Sequence, residues 1–116
     1  MPEDLSRKRC VPCRGGVPPM EAGRARELMS AVPGWDLVDG ETRIRRKLTF
    51  GSFPAAIEFV ERVAGIAEYE GHHPDFKISY RNVDVVLYTH VIAGLHENDF
   101  IVAAKINDLL GGSDQG

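Results

Sequence analysis

Long apolar runs are missing from this chain. Nothing in it approaches the ~20 consecutive apolar residues that a membrane span needs, and it begins with Pro, charge and Cys rather than the apolar core of a secretory leader. Cysteine is almost missing as well. The only two, Cys10 and Cys13, stand in a single C-x-x-C near the N-terminus, which makes no disulfide framework, so a reducing, cytoplasmic setting is expected. A strong charge of one sign is also lacking. Net charge is −3 over 116 residues, far from the positive surface that a polyanion selects. Residues 1–58 hold ten Lys or Arg and eight Asp or Glu, whereas residues 59–116 hold four and nine. All four histidines lie in that acidic half, so neither nucleic acid nor a membrane is the expected partner of a histidine site.

What is present is an ordinary core. Hydrophobic residues make up 43%, enough for one folded domain without staples. Residues 1–19 show no periodicity, and Gly15-Gly16 and Pro18-Pro19 break any regular element. They are expected to form a flexible arm, ahead of a domain over residues 20–112 and a disordered tail at 113–116.

From Met20 the pattern is helical, with Ala22, Ala25, Leu28, Met29 and Val32 on one side until Pro33-Gly34 stops it. Trp35 and Leu37 alternate with Asp36 and Val38, and Asp39-Gly40 marks a hairpin turn. The return strand runs from about Thr42 to Phe50: Ile44, Leu48 and Phe50 share one face, Arg43, Arg45, Lys47 and Thr49 the other, and Arg46 intrudes on the apolar side. Ser52 is the expected N-cap of a helix whose stripe is Phe53, Ala56, Ile57, Val60, Val63, Ala64 and Ala67. Phe76, Ile78 and Tyr80 alternate up to an Arg81-Asn82 turn, and Val83, Val85 and Leu87 alternate back. A last helix spans about Glu97 to Leu110, with Val102, Ile106, Leu109 and Leu110 inward and Gly111 closing it. The order helix, hairpin, helix, hairpin, helix predicts an α+β fold: a four-stranded antiparallel sheet with three helices packed on one face.

Chemistry concentrates between Glu68 and Asp99. His72 and His73 precede the first strand of the second hairpin and His90 follows its second strand, so the hairpin returns the third histidine to the first two. Glu68 lies one helical turn before His72. Pro74 disfavours helical geometry at His73, so the two adjacent side chains diverge, and His72 is expected at the rim. Imidazoles titrate near neutrality, so such a cluster can supply an acid and a base together. Metal is the rival reading, but adjacent histidines chelate one ion awkwardly and no H-x-H or H-x-x-x-H pair occurs. No metal and no cofactor are expected.

The string Glu68-x-x-x-His72-His73-Pro74, the aromatic Phe76, Thr89-His90 and Ala93-Gly94-Leu95-x-Glu97-x-Asp99 resembles the signature of the pterin-4a-carbinolamine dehydratases. The likeness runs upstream through Gly34-Trp35 and covers nearly everything from Met20 to Leu110. That resemblance implies the α-β-β-α-β-β-α sandwich, a homodimer or homotetramer, and metal-free dehydration of a 4a-hydroxytetrahydropterin to the quinonoid dihydropterin in tetrahydrobiopterin recycling. It makes His72, His73, His90 and Glu68 the catalytic candidates. His72, Trp35, Phe76 and Asp99 become candidates for holding the pterin. Two departures stand out: His96 occupies a position where the family pattern has Ser or Thr as helix cap, so that helix start is expected to fray, and Gly71 replaces an acidic residue. Some relatives act as dimerisation or assembly partners, so a non-catalytic binding role is the alternative, with a second protein partner left open.

Two weaker signals have bland readings. Cys10-x-x-Cys13 is at most half a zinc site and is read as an incidental pair of thiols. Arg43, Arg45, Arg46 and Lys47 resemble a basic patch, but alternation puts most of them on one solvated strand face.

Overall fold

The structure is a computed structural model and describes residues 5–11 and 18–112. Its elements are α1 (Ala22–Leu28), β1 (Asp36–Val38), β2 (Arg43–Thr49), α2 (Phe53–Glu70), β3 (Asp75–Ser79), β4 (Asn82–Leu87) and α3 (Glu97–Gly112), with short 3-10 turns at Leu5–Arg7, Met29–Ala31 and His90–Ile92. The four strands form one antiparallel sheet in the order β1-β2-β4-β3. The expected α+β architecture is therefore present, and β1 and β3 are its edges.

Local chemistry accounts for the boundaries. Ser52 Oγ accepts from the Ala55 amide at 3.2 Å, capping α2. Gly71 ends α2 in the left-handed conformation at φ 69°, where a side chain would be strained. The α1 helix tightens into the 3-10 turn at Met29–Ala31 before Pro33. Gly34 adopts φ 90°, and a Cβ there would come within 2.7 Å of the Arg46 guanidinium. Any side chain there would be strained by that φ and would displace the guanidinium. The β3–β4 turn differs from expectation by one residue: Ser79 pairs with Asn82, so the loop is Tyr80-Arg81, with Tyr80 at φ 55°.

The core is built from Ile44, Val83, Val85 and Leu87 on the sheet, Ala56, Phe59 and Val63 on α2, and Phe100, Val102 and Ile106 on α3. Each such side chain withdrawn from water is worth roughly 1.5–3 kcal/mol. The α3 helix is buried continuously from Asn98 to Ala104, more than the one-sided stripe expected. Its second face is covered by the N-terminal segment. The Leu5–Arg7 turn packs along α3, and Leu5 is 1% exposed within the core cluster.

That docking corrects the free-arm expectation for the described residues 5–11. Lys105 Nζ donates to the Ser6 carbonyl at 2.7 Å, the Cys10 amide donates to Glu70 Oε1 at 2.8 Å, and Lys8 pairs with Glu97 at 2.7 Å. Val11 and Asn98 exchange two hydrogen bonds: the Val11 amide donates to Asn98 Oδ1, and Asn98 Nδ2 donates to the Val11 carbonyl. One buried leucine and backbone bonds to side chains hold this strap, and neither leaves a periodic signature. Cys13 and the tail at 113–116 lie outside the described residues.

Candidate active site

The C-terminal end of α2 and the N-terminal turn of α3 meet beside the strand end of β4, and the site is built at this junction. After Gly71 the chain turns out of α2, with the Gly71 and His72 amides both donating to the Ala67 carbonyl. It then runs without regular structure through His72, His73 and Pro74 into β3. The two histidines diverge as the proline constraint implies. Their order is the reverse of that expected: His72 is the inner ring, 11% exposed, and His73 is at the rim, 59% exposed.

Each has its own carboxylate. His72 Nε2 lies 2.5 Å from Asp99 Oδ1, and His73 Nε2 lies 2.6 Å from Glu68 Oε2. Asp99 is fully buried. Its second oxygen accepts from the Thr89 hydroxyl at 3.0 Å and from the His96 amide at 3.0 Å. As a carboxylate Asp99 can only accept, so this network places the His72 proton on Nε2 and turns Nδ1 away from Asp99. Asp99 therefore acts behind His72, and Glu68 belongs to His73.

His90 opens the 3-10 turn that follows β4, so it lies beyond the strand proper. Thr89 and Gly94 close that loop, with the Thr89 amide donating to the Gly94 carbonyl at 2.8 Å. The His90 ring is half exposed, and its Nε2 is 3.8 Å from Asp75 Oδ1. Together His72, His73 and His90 line one open cleft of about 320 Å³, with Val11, Gly71, Tyr88, Thr89, Val91 and Asn98 completing the wall. That volume is within the range of small-molecule sites. Three of the lining groups, Val11, Tyr88 and Asn98, carry no functional signal in the sequence; only the same-parity spacing of Tyr88 and His90 points to one of them.

Two residues expected as pterin contacts are placed elsewhere. Trp35 is a core residue, 5% exposed, whose Nε1 donates to Asn107 Oδ1 at 2.9 Å. Asn107 is more than two turns along α3 from Asp99. Arg46 donates to the same oxygen at 2.6 Å, and burial pulls its guanidinium below the ordinary arginine value. Phe76 packs against the core from β3, because its partner Val85 faces inward. Neither side chain lines the histidine cleft.

The helix cap also differs from expectation. His96 caps α3: its Nδ1 accepts from the Asn98 amide at 3.0 Å while its own amide donates to Asp99. The Asp99 side chain supplies the reciprocal half of a capping box, and the imidazole takes the N2 amide in place of the usual hydroxyl.

Next to the cleft, Glu70 is buried with Cys10, Arg9 and Lys105 around it. Burial raises its pKa, but the Cys10 amide and the two cations outweigh that and hold it below the ordinary carboxylate value. Burial, reinforced by Glu70, pushes the Cys10 thiol up to about 12. A thiol held protonated is a poor nucleophile and a poor zinc ligand. Among the described residues no three His, Cys, Asp or Glu side chains are grouped so as to hold a metal ion, and no helix is long and apolar enough to cross a membrane.

Comparison with known proteins places the chain in a family. The family model for pterin 4 alpha carbinolamine dehydratase matches residues 18–109. The chain belongs to that family. A protein of Cupriavidus pinatubonensis, provisionally named pterin-4-alpha-carbinolamine dehydratase 1, is 44% identical over 116 residues, covering all of both chains. The mitochondrial pterin-4-alpha-carbinolamine dehydratase 2 of Arabidopsis thaliana is 47% identical over 110 residues, 91% of this chain and 59% of that one. A crystal structure of a transcriptional coactivator/pterin dehydratase from Brucella melitensis superimposes with a TM-score of 0.74 at 35% identity, covering 78% of this chain and 97% of that one. The family match spans the docked helices, both hairpins and every histidine of the cleft, whereas residues 5–11 fall outside it.

Proposed function

We propose that this protein is a 4a-hydroxytetrahydrobiopterin dehydratase that uses histidine acid–base catalysis in tetrahydrobiopterin recycling. The observation that carries this reading is the convergence of His72, His73 and His90 on one cleft in unlike surroundings. Dehydration breaks the C4a–O bond, delivers a proton to the departing hydroxyl as water, and takes the proton from N5 so that C4a=N5 forms. Nitrogen adjacent to C4a stabilises the developing cation, so the chemistry needs proton transfer rather than a Lewis acid. His72, inner and tied to Asp99, orients and binds; His73 and His90 at the rim move the protons. A purely assembling protein would gain nothing from two histidine–carboxylate pairs facing a cleft, so catalysis is preferred over that alternative. The edge strand β3, with Ile78 40% exposed on it and Tyr80 exposed in the loop that follows, is where a second copy would extend the sheet into a dimer.

The test is stopped-flow decay of the 4a-carbinolamine with and without enzyme, in saturating EDTA. Acceleration by the parent is expected, with His73→Ala and His90→Ala each slower by at least about tenfold. The double variant should lose less than the product, because groups acting as a unit are not additive. No acceleration by the folded parent protein would overturn the assignment.

A further inference from the structure

Among the described residues, His90 has no carboxylate at the hydrogen-bond distance that holds the other two histidines. His72 and His73 each have a carboxylate at hydrogen-bond distance, but Asp75 stands 3.8 Å from His90 Nε2, and both side chains are more than half exposed. An imidazole on a surface loop without a hydrogen-bonded partner samples many orientations, and proton transfer requires one of them.

Tyr88 supplies the missing constraint. The His90 ring stacks on the Tyr88 ring with centroids 4.1 Å apart and planes 16° from parallel. The Arg43 guanidinium lies over the same ring, 4.0 Å from its centroid. Two planar groups at that height cannot share one face of a six-membered ring without overlapping. Arg43 and His90 therefore cover opposite faces, and Tyr88 is the middle layer. The sheet produces this arrangement: β2 and β4 pair Ile44 with Leu87, and one further step in that register sets Arg43 across from Tyr88. Arg43 is itself steadied by the Thr42 hydroxyl at 3.3 Å and by Asp39 at 4.0 Å. Arg43 thus has a specific partner and is not merely part of a solvated basic face.

We propose that Tyr88, backed by Arg43, is the positioning residue for His90, fixing the plane of its imidazole at the cleft. Both faces of the Tyr88 ring are occupied, so it orients His90 rather than stacking on substrate. The role rests on His90 transferring a proton, as proposed above.

Two measurements on the full chain test it. In proton NMR of the free protein, the His90 ring protons should be shifted upfield by the Tyr88 ring current. That shift should persist in Tyr88→Phe and vanish in Tyr88→Leu. In the dehydration assay Tyr88→Leu should lower kcat by about tenfold with KM close to the parent, and Tyr88→Phe should recover most of the rate. Tyr88→Leu combined with His90→Ala should be no slower than His90→Ala alone. Arg43→Ala leaves the ring in place and should give a smaller upfield shift and an intermediate kcat, so the idea stays testable if Tyr88→Leu fails to fold. Unshifted His90 protons in the parent, or parental kcat in Tyr88→Leu beside a slow His90→Ala, would overturn the positioning role. Parental kcat in His90→Ala itself would instead overturn the proton-transfer reading beneath it.

Discussion

Asp99 Oδ1 lies 2.5 Å from His72 Nε2, and the carboxylate that makes this contact is the same one that receives the His96 amide at the start of α3. One buried group thus caps a helix, accepts the Thr89 hydroxyl and sets the tautomer of the inner histidine. Structure and chemistry are joined at this atom pair: whatever docks the first turn of α3 also aims His72.

Replacing Asp99 should therefore cost both stability and rate. Asp99→Ala leaves three donors without a partner inside the protein, each worth about 1–3 kcal/mol when orphaned. A total loss of roughly 2–4 kcal/mol is expected after local relaxation. Asp99→Asn keeps the shape, but its amide can present a donor to a donor, so His72 must change tautomer or turn. Urea midpoints should show a smaller loss for Asp99→Asn, while kcat falls in both variants. Parental kcat in a folded Asp99→Asn would remove Asp99 from the mechanism.

His96 separates capping from chemistry. Its Nδ1 holds the Asn98 amide and its ring is not on the histidine cleft. His96→Ala should lower stability by about 0.5–2 kcal/mol and leave kcat near the parent. His96→Ser, which restores an acceptor at the cap, should recover the stability. A large kcat loss in a variant as stable as the parent would show that His96 takes part in turnover.

Much of this site is legible in the sequence. A hairpin must bring His90 back to His72 and His73, and Pro74 must split the adjacent pair, so convergence and divergence both follow from pattern. Which ring faces inward does not follow, because it depends on how α3 docks to offer Asp99. The only tryptophan, Trp35, suits a ligand platform or a core equally well in sequence, and the structure uses it in the core with Asn107 as the partner for its N–H. His96 reads as a weak cap because hydroxyls dominate that position, yet an imidazole nitrogen accepts the same amide. The strap leaves no sequence signature because a single leucine ahead of a 3-10 turn has no period to detect.

Leu5 makes the strap testable. Its side chain is buried against α3 although the segment as a whole resembles a loose terminus in sequence. Leu5→Ala should destabilise the domain by about 2–4 kcal/mol, the transfer and cavity cost of a buried leucine. Removing residues 1–11 should cost at least as much, since Glu70 and Asn98 then lose the Cys10 and Val11 backbone partners. Urea denaturation of the three proteins reads this directly. Equal midpoints for parent and truncated chain would mean that the strap does not dock in solution.

Glu70 should make the fold acid-sensitive, and the sign follows from its surroundings. Burial alone would raise its pKa, but the Cys10 amide, Lys105 and Arg9 hold it below the ordinary carboxylate value of 4.5. A carboxylate with a lower pKa in the folded than in the unfolded chain stabilises the fold where both are ionised. That contribution is complete above the unfolded value and disappears as the pH falls through the folded one. Glu70→Gln keeps an acceptor for the Cys10 amide but cannot ionise, so it should be less stable than the parent near neutrality. The gap between the two should narrow as the pH drops below about 4.5, because the parent is losing a charge that the variant never had. Comparing the two at each pH cancels the other carboxylates, which titrate alike in both. Urea midpoints from neutral pH down to the acid range measure the gap, and a constant difference across that range would show that Glu70 is not the group that titrates.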